Sequence, residues 1–137
     1  PTANVLGRLC AAFGVTLSRL MHLVEGDFEA RLPQAAQSLW TDPETGFERR
    51  SVSPPSQMLA GEVIEGSLRP GSHIAYAAPP RPGLEHHLVM LDGRLTVRVG
   101  DVDHTLGPGD CLRYQLHGPS AFTTPPDAGA RYLLFMV

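Results

Sequence analysis

From Leu59 onward the chain is cut at short intervals by residues that force it to turn. These are Arg69-Pro70-Gly71, Asp92-Gly93, Gly100-Asp101, Gly107-Pro108-Gly109-Asp110 and Pro125-Pro126-Asp127. Proline pre-sets φ, glycine supplies the positive φ that tight turns need, and aspartate bonds its own backbone. Between the turns stand short apolar runs: Leu59–Leu68, Ser72–Ala78, Glu85–Leu91, Arg94–Val99, Val102–Leu106, Cys111–Leu116, Ala121–Thr124 and Ala130–Val137. Many short runs separated by evenly spaced turns predict short strands in a sandwich or barrel. The 14 glycines and 13 prolines are punctuation rather than a sign of disorder, because a 42% hydrophobic content recurs between them.

The region before Leu59 has two other textures. Thr2 to Leu23 reads as helical: Val5, Leu6, Leu9, Cys10 and Phe13 recur at helical spacing, and Pro1 suits a helix start. Gly14 stops that helix and Thr16 caps a second, carrying Leu17, Leu20 and Met21. The polar stretch to Gln34, with Pro33, is a linker. Leu39-Trp40 and Phe47–Val52 then flank Asp42-Pro43-Glu44-Thr45-Gly46, which predicts a hairpin. The expected organisation is therefore residues 1–24 helical, 25–34 linker, and 35–137 a β domain that includes this hairpin.

A formal net charge of −3 gives the chain as a whole no electrostatic case for nucleic acid. No apolar run reaches membrane-spanning length and no signal-peptide pattern opens the sequence, so no membrane partner is expected. Cys10 and Cys111 each read as a small buried apolar residue, which favours a reducing, cytoplasmic setting over a disulfide framework. The start at Pro1 rather than Met leads us to expect a further upstream segment.

Two segments resemble family motifs. Glu85-His86-His87-Leu88-Val89-Met90-Leu91-Asp92-Gly93-Arg94-Leu95-Thr96-Val97 resembles the first cupin motif, and Leu106-Gly107-Pro108-Gly109-Asp110-Cys111-Leu112-Arg113-Tyr114 the second, with its Pro-x-Gly-Asp turn. The fold this implies is mainly β: a double-stranded β-helix, or jelly-roll, barrel behind a short helical segment. Residues 1–20 in turn resemble the last two helices of a Xre-type helix-turn-helix domain, with the recognition helix upstream. The order of the two implies a Xre-type transcriptional regulator with a C-terminal cupin sensor. It implies operator DNA, bound through the helices missing from this chain, and a homodimer as partners.

Many cupins hold a divalent metal on histidines and a glutamate. Carried over residue by residue, the glutamate position falls on His86, the paired histidines fall near Pro80–Pro82, and the last histidine falls on Ser120. No metal and no cofactor is therefore expected; a rearranged set of His73, His86 and His117 is the alternative. His87 should face away from His86 and lie at the surface, as should His22 and His104, and Glu85 beside His86 makes a poor catalytic pair. Without a metal or an acid–base pair, no catalytic residue is assigned.

A barrel can instead keep room for one small ligand. The expected pocket is His86, Ser120, Tyr114, Tyr76, Met90 and Leu88, a mainly apolar lining with a few polar groups. Arg49, Arg50, Arg94, Arg98 and Arg113 are scattered positive charges, any one of which would suit an acidic effector. The function expected is that of a regulator whose barrel binds a small-molecule effector and dimerises; the alternative is a stand-alone metal-dependent cupin dioxygenase or isomerase.

Overall fold

The computed structural model describes residues 29–137, together with positions 2, 4, 5, 8, 11, 12 and 14. Two compact units are present, Pro1–Arg31 and Leu32–Val137. In the first, Asn4, Val5, Arg8, Ala11 and Ala12 are helical. Thr2 caps them: its Oγ1 accepts the Val5 N–H at 3.3 Å, satisfying one of the free amides of a first helical turn. Gly14 adopts φ +65°, the left-handed geometry that ends helices. Leu6, Leu9, Cys10, Phe13 and the second helix expected around Thr16, Leu17, Leu20 and Met21 lie outside the described residues, as does His22.

The second unit opens with a 3-10 turn, Gln34–Ala36, and continues as ten strands. They are β1 (Leu39–Thr41), β2 (Glu48–Ser53), β3 (Glu62–Leu68), β4 (His73–Tyr76), β5 (Leu84–Gly93), β6 (Leu95–Val99), β7 (Val102–Leu106), β8 (Cys111–Leu116), β9 (Ser120–Thr123) and β10 (Ala130–Met136). Two antiparallel sheets result, of order β1-β2-β3-β10-β5-β8 and β4-β9-β6-β7. After β3 the chain changes sheet at every connection except β6 to β7. This is the jelly roll, which buries one face of each sheet against the other.

The hairpin expected around Asp42 forms. Trp40 pairs with Arg49 and Thr41 with Glu48, while Asp42 accepts the Glu44 N–H at 3.0 Å and the Thr45 hydroxyl at 2.7 Å. Three expectations are corrected. The third strand begins at Glu62, because Ser56 and Leu59 close a separate small turn. Asp92-Gly93 does not separate two paired strands: β5 runs through it to Gly93, and β6 belongs to the other sheet. Gly93, at φ +83°, is a corner at which backbone meets backbone. Arg94 N–H donates to Gly129 O at 3.0 Å, and a Cβ on Gly93 would be driven into that same carbonyl. Lastly, Cys111 is exposed rather than buried, since it lies opposite Val89 on the outward face of β8.

The core sits between the sheets. Rows of inward side chains cross the six-stranded sheet in register: Ile64 beside Leu134, Leu134 beside Leu88, and Leu88 beside Leu112. Val97 and Phe122 face them from the other sheet. Leu88, Met90, Leu95 and Val97 have 0–1% of their surface exposed.

Truncating Leu88 to Ala is expected to cost about 2–5 kcal/mol, since a packed row cannot collapse onto the void. Gly93→Ala should be comparably severe for a different reason, steric and conformational. Urea unfolding followed by tryptophan fluorescence checks both. A Gly93→Ala variant within about 0.5 kcal/mol of wild type would contradict the close approach described here.

Candidate ligand site

Strand alternation sorts the chemistry. On β5, Leu88 and Met90 share the inward face with His86, while Glu85 and His87 point outward. There His87 Nε2 donates to Glu85 Oε2 at 2.6 Å, so His87 is occupied on the opposite face. His86 is 7% exposed and is flanked in register by Tyr114 on β8 and Met136 on β10. Its Nδ1 lies 3.1 Å from the Tyr114 hydroxyl, and the rings meet edge to face at 5.1 Å. Among the described residues its Nε2 is the one buried side-chain polar atom with no hydrogen-bond partner. Such an atom costs about 1–3 kcal/mol unless something else satisfies it.

Burial, with the positive charge of Arg49 added, pushes the His86 pKa down from 6.5 to about 4. The imidazole is therefore neutral at physiological pH. Burial also raises the phenols of Tyr114 and Tyr132, with Tyr76 contributing to both, so they remain protonated.

Of the other expected pocket residues, Ser120 is buried on the inward face of β9, opposite Tyr76 on β4. Tyr76 is 44% exposed and its ring stands edge-on to Phe122 at 6.1 Å. Leu88 and Met90, expected as lining, present no surface to solvent; they are packed core. Sequence reading did not single out Tyr132 or Trp40. The Tyr132 ring stacks on Phe122 at 5.9 Å and lies across Gly66, where a Cβ would stand 2.6 Å from its hydroxyl oxygen. Trp40 packs edge-on against buried Phe47 at 6.3 Å. The available signal was Gly66 itself, because a glycine inside a strand marks a place where something approaches closely.

The alternative ligand histidines do not join His86. His73 is exposed, with Nδ1 2.9 Å from Thr123 Oγ1. His117 is exposed in the turn after β8, its Cε1 3.6 Å from where a Gly83 Cβ would stand. His104, expected at the surface, is half-buried opposite Val97. Among the described residues no three His, Cys, Asp or Glu side chains gather within reach of one ion. Among the described residues the hydrogen-bond partner of His86 is a phenol and not a carboxylate, and the charge of Arg49 acts on it from further away. These donors do not fit the metal that many cupins hold.

No protein-family model matches the chain, and no curated protein sequence matches it. Solved structures do. The chain is similar to the Cupin_2 domain of an XRE family transcriptional regulator from Enterobacter cloacae, with TM-score 0.61 and 19% identity over 66% of this chain and 94% of that one. The fold is that of a cupin. The cupin barrel is also similar to an HTH_3 family transcriptional regulator from Vibrio cholerae, with TM-score 0.64 and 15% identity over 100% of this chain and 72% of that one. The Fe(II) form of HppE matches with TM-score 0.69 and 13% identity over 99% of this chain and 76% of that one. Cupins that regulate and a cupin that holds iron thus share this fold, and the side chains must decide between them. No helix among the described residues is long and apolar enough to cross a membrane.

Neutral burial of His86 has a pH signature. An unfolded histidine takes up a proton near 6.5, whereas the folded one resists until about 4. Stability should therefore fall as pH drops from above 6.5 and lose this contribution fully below about 4. In paired melting curves, the gap between wild type and His86→Gln should narrow steadily across that window. A gap that does not change with pH would refute the assignment.

Proposed function

We propose that the barrel is the effector-binding and dimerising module of a cytoplasmic transcriptional regulator. In this reading residues 1–24 are the last two helices of a helix-turn-helix, operator DNA is the partner of that element, and the barrel receives a small molecule. The observation that carries the proposal is His86. At the position where a metal-holding cupin keeps its carboxylate, this chain has a neutral, buried imidazole whose Nε2 has no partner among the described residues. Such an atom suits a ligand's hydrogen-bonding group better than a metal set from which the carboxylate and the other histidines are missing. The similarity to an HTH_3 regulator over the whole chain supports the same reading. Regulation would follow if the effector binds two arrangements of the barrel with different affinity.

The outward face of the six-stranded sheet supports dimerisation. Phe135, 38% exposed, is paired in register with Val63, and Leu133 with Val89, giving an apolar strip on an otherwise polar side. Two copies related by a two-fold axis would cover this strip, and paired readers gain affinity for a symmetric operator. Phe135→Glu should shift the sedimentation equilibrium from dimer to monomer while leaving the fold intact by circular dichroism. A monomeric wild type would remove dimerisation from the proposal.

Thermal-shift screening of the untagged protein against metabolites tests the binding role. A true effector raises the melting temperature in proportion to the logarithm of its concentration, by about 2.7 kcal/mol of stability at a hundredfold excess over Kd. The competing reading, a metal-dependent cupin enzyme, draws on the similarity to Fe(II) HppE. Stoichiometric iron, manganese, nickel or zinc that disappears in His86→Ala would decide for it.

A further inference from the structure

Arg49 and Arg50 are neighbours on β2 with opposite fates. Arg50 faces outward, its Nε 4.0 Å from Glu65. Arg49 therefore shares the face of Gly66 on β3 and Trp40 on β1, in one register row with both, and at that edge it is exposed to solvent. Gly66 is in turn paired with Tyr132 on β10. Gly66 has no side chain, so the Tyr132 ring leans across it, its hydroxyl oxygen 2.6 Å from where a Cβ would stand. The phenol of Tyr132 is thereby brought over the strand that pairs with Arg49. Among the described residues Arg49 makes no ion pair, whereas Arg50, Arg98 and Arg131 each have a carboxylate.

The phenols of Tyr76, Tyr114 and Tyr132 lie within electrostatic reach of one another. Among the described residues the hydroxyls of Tyr76 and Tyr132 have no hydrogen-bond partner, and Tyr114 has only His86. The arrangement that leaves fewest groups unsatisfied has the Tyr114 O–H donating to His86 Nδ1, which puts the imidazole proton on Nε2 as a further donor. Tyr76 stands edge-on to Phe122, which stacks on Tyr132; of the three rings Tyr76 is the exposed one. The register sets Arg49 in one row with Tyr132, and its positive charge also acts on Tyr76 and His86.

We propose that the effector is a small aromatic carboxylate, its anionic group held by Arg49, its ring against the exposed ring of Tyr76, and an oxygen acceptor on His86 Nε2. This inference rests on the effector-pocket reading above and gives it a ligand class. A guanidinium binds a carboxylate through two parallel N–H···O bonds, a geometry a neutral amide cannot reproduce with the same strength.

The test is calorimetric titration of the full chain with benzoate, 4-hydroxybenzoate and phenylacetate, each beside its neutral amide. The same series is run on Arg49→Gln, Arg49→Lys, His86→Ala and, as a control on the outward face opposite His87, Arg113→Gln. The acids should bind at least about tenfold more tightly than their amides, as expected for a hydrogen bond to a charged group. That preference should vanish in Arg49→Gln, survive in part in Arg49→Lys, and be unchanged in Arg113→Gln. Equal binding of acids and amides, or equal losses in Arg49→Gln and Arg113→Gln, would overturn the anion assignment. If neutral ligands bind and His86→Ala abolishes it, the anion assignment falls while the effector pocket stands. If no member binds and the metabolite screen is also silent, both fall.

Discussion

The barrel depends on one recurring event, the passage of the chain from one sheet to the other. At Gly93 this happens where two backbones touch, with the Arg94 amide donating to the Gly129 carbonyl at 3.0 Å and no room for a side chain between them. The second crossing of the same kind, between β7 and β8, is closed by Asp110, whose Oδ2 accepts the Gly107 N–H at 2.9 Å. It is tied to the first through Met90, whose carbonyl accepts the Gly109 N–H at 2.9 Å. With the crossings fixed, the strands from β3 onward alternate between the sheets, β6 and β7 aside, and inward residues of both sheets meet in a shared interior.

That interior is graded rather than uniform. The Ile64, Leu134, Leu88 and Leu112 row is dry and closely packed. Around it the inward positions carry phenols and an imidazole. A filled apolar centre is what stabilises a barrel this small. Among the described residues the cost is concentrated in one atom, Nε2 of His86, which is buried there without a partner. Buried polar atoms are rarely left so, and this one stands where the fold elsewhere places its chemistry.

Much of the β architecture was legible in the turn residues. Pro-Gly, Gly-Asp and Pro-x-Gly-Asp signals marked the strand ends closely, because proline and glycine act through local φ alone. The Asp42–Gly46 hairpin and the inward–outward split of His86 and His87 follow from the same local rules. Asp92-Gly93 misled for an instructive reason: its local geometry is that of a turn, but whether a glycine corner reverses a strand or redirects it depends on what lies across from it. Cys111 was misjudged likewise. Its residue type favours burial, while its parity on β8 puts it outside.

The sequence by itself determined the strand and turn pattern, the cupin resemblance and the loss of the usual ligand positions, since each is written in residue types at short spacing. Only the tertiary structure decided which polar residues share a space. Leu88 and Met90 became core because the opposite sheet covers them. Tyr132 and Arg49, far apart in the chain, flank Gly66 because β2, β3 and β10 pair in one register. Which of the neighbouring Arg49 and Arg50 shares the face of Tyr132 turned on a register with period two, in which a slip of one residue exchanges the faces, and sheet pairing alone fixes it.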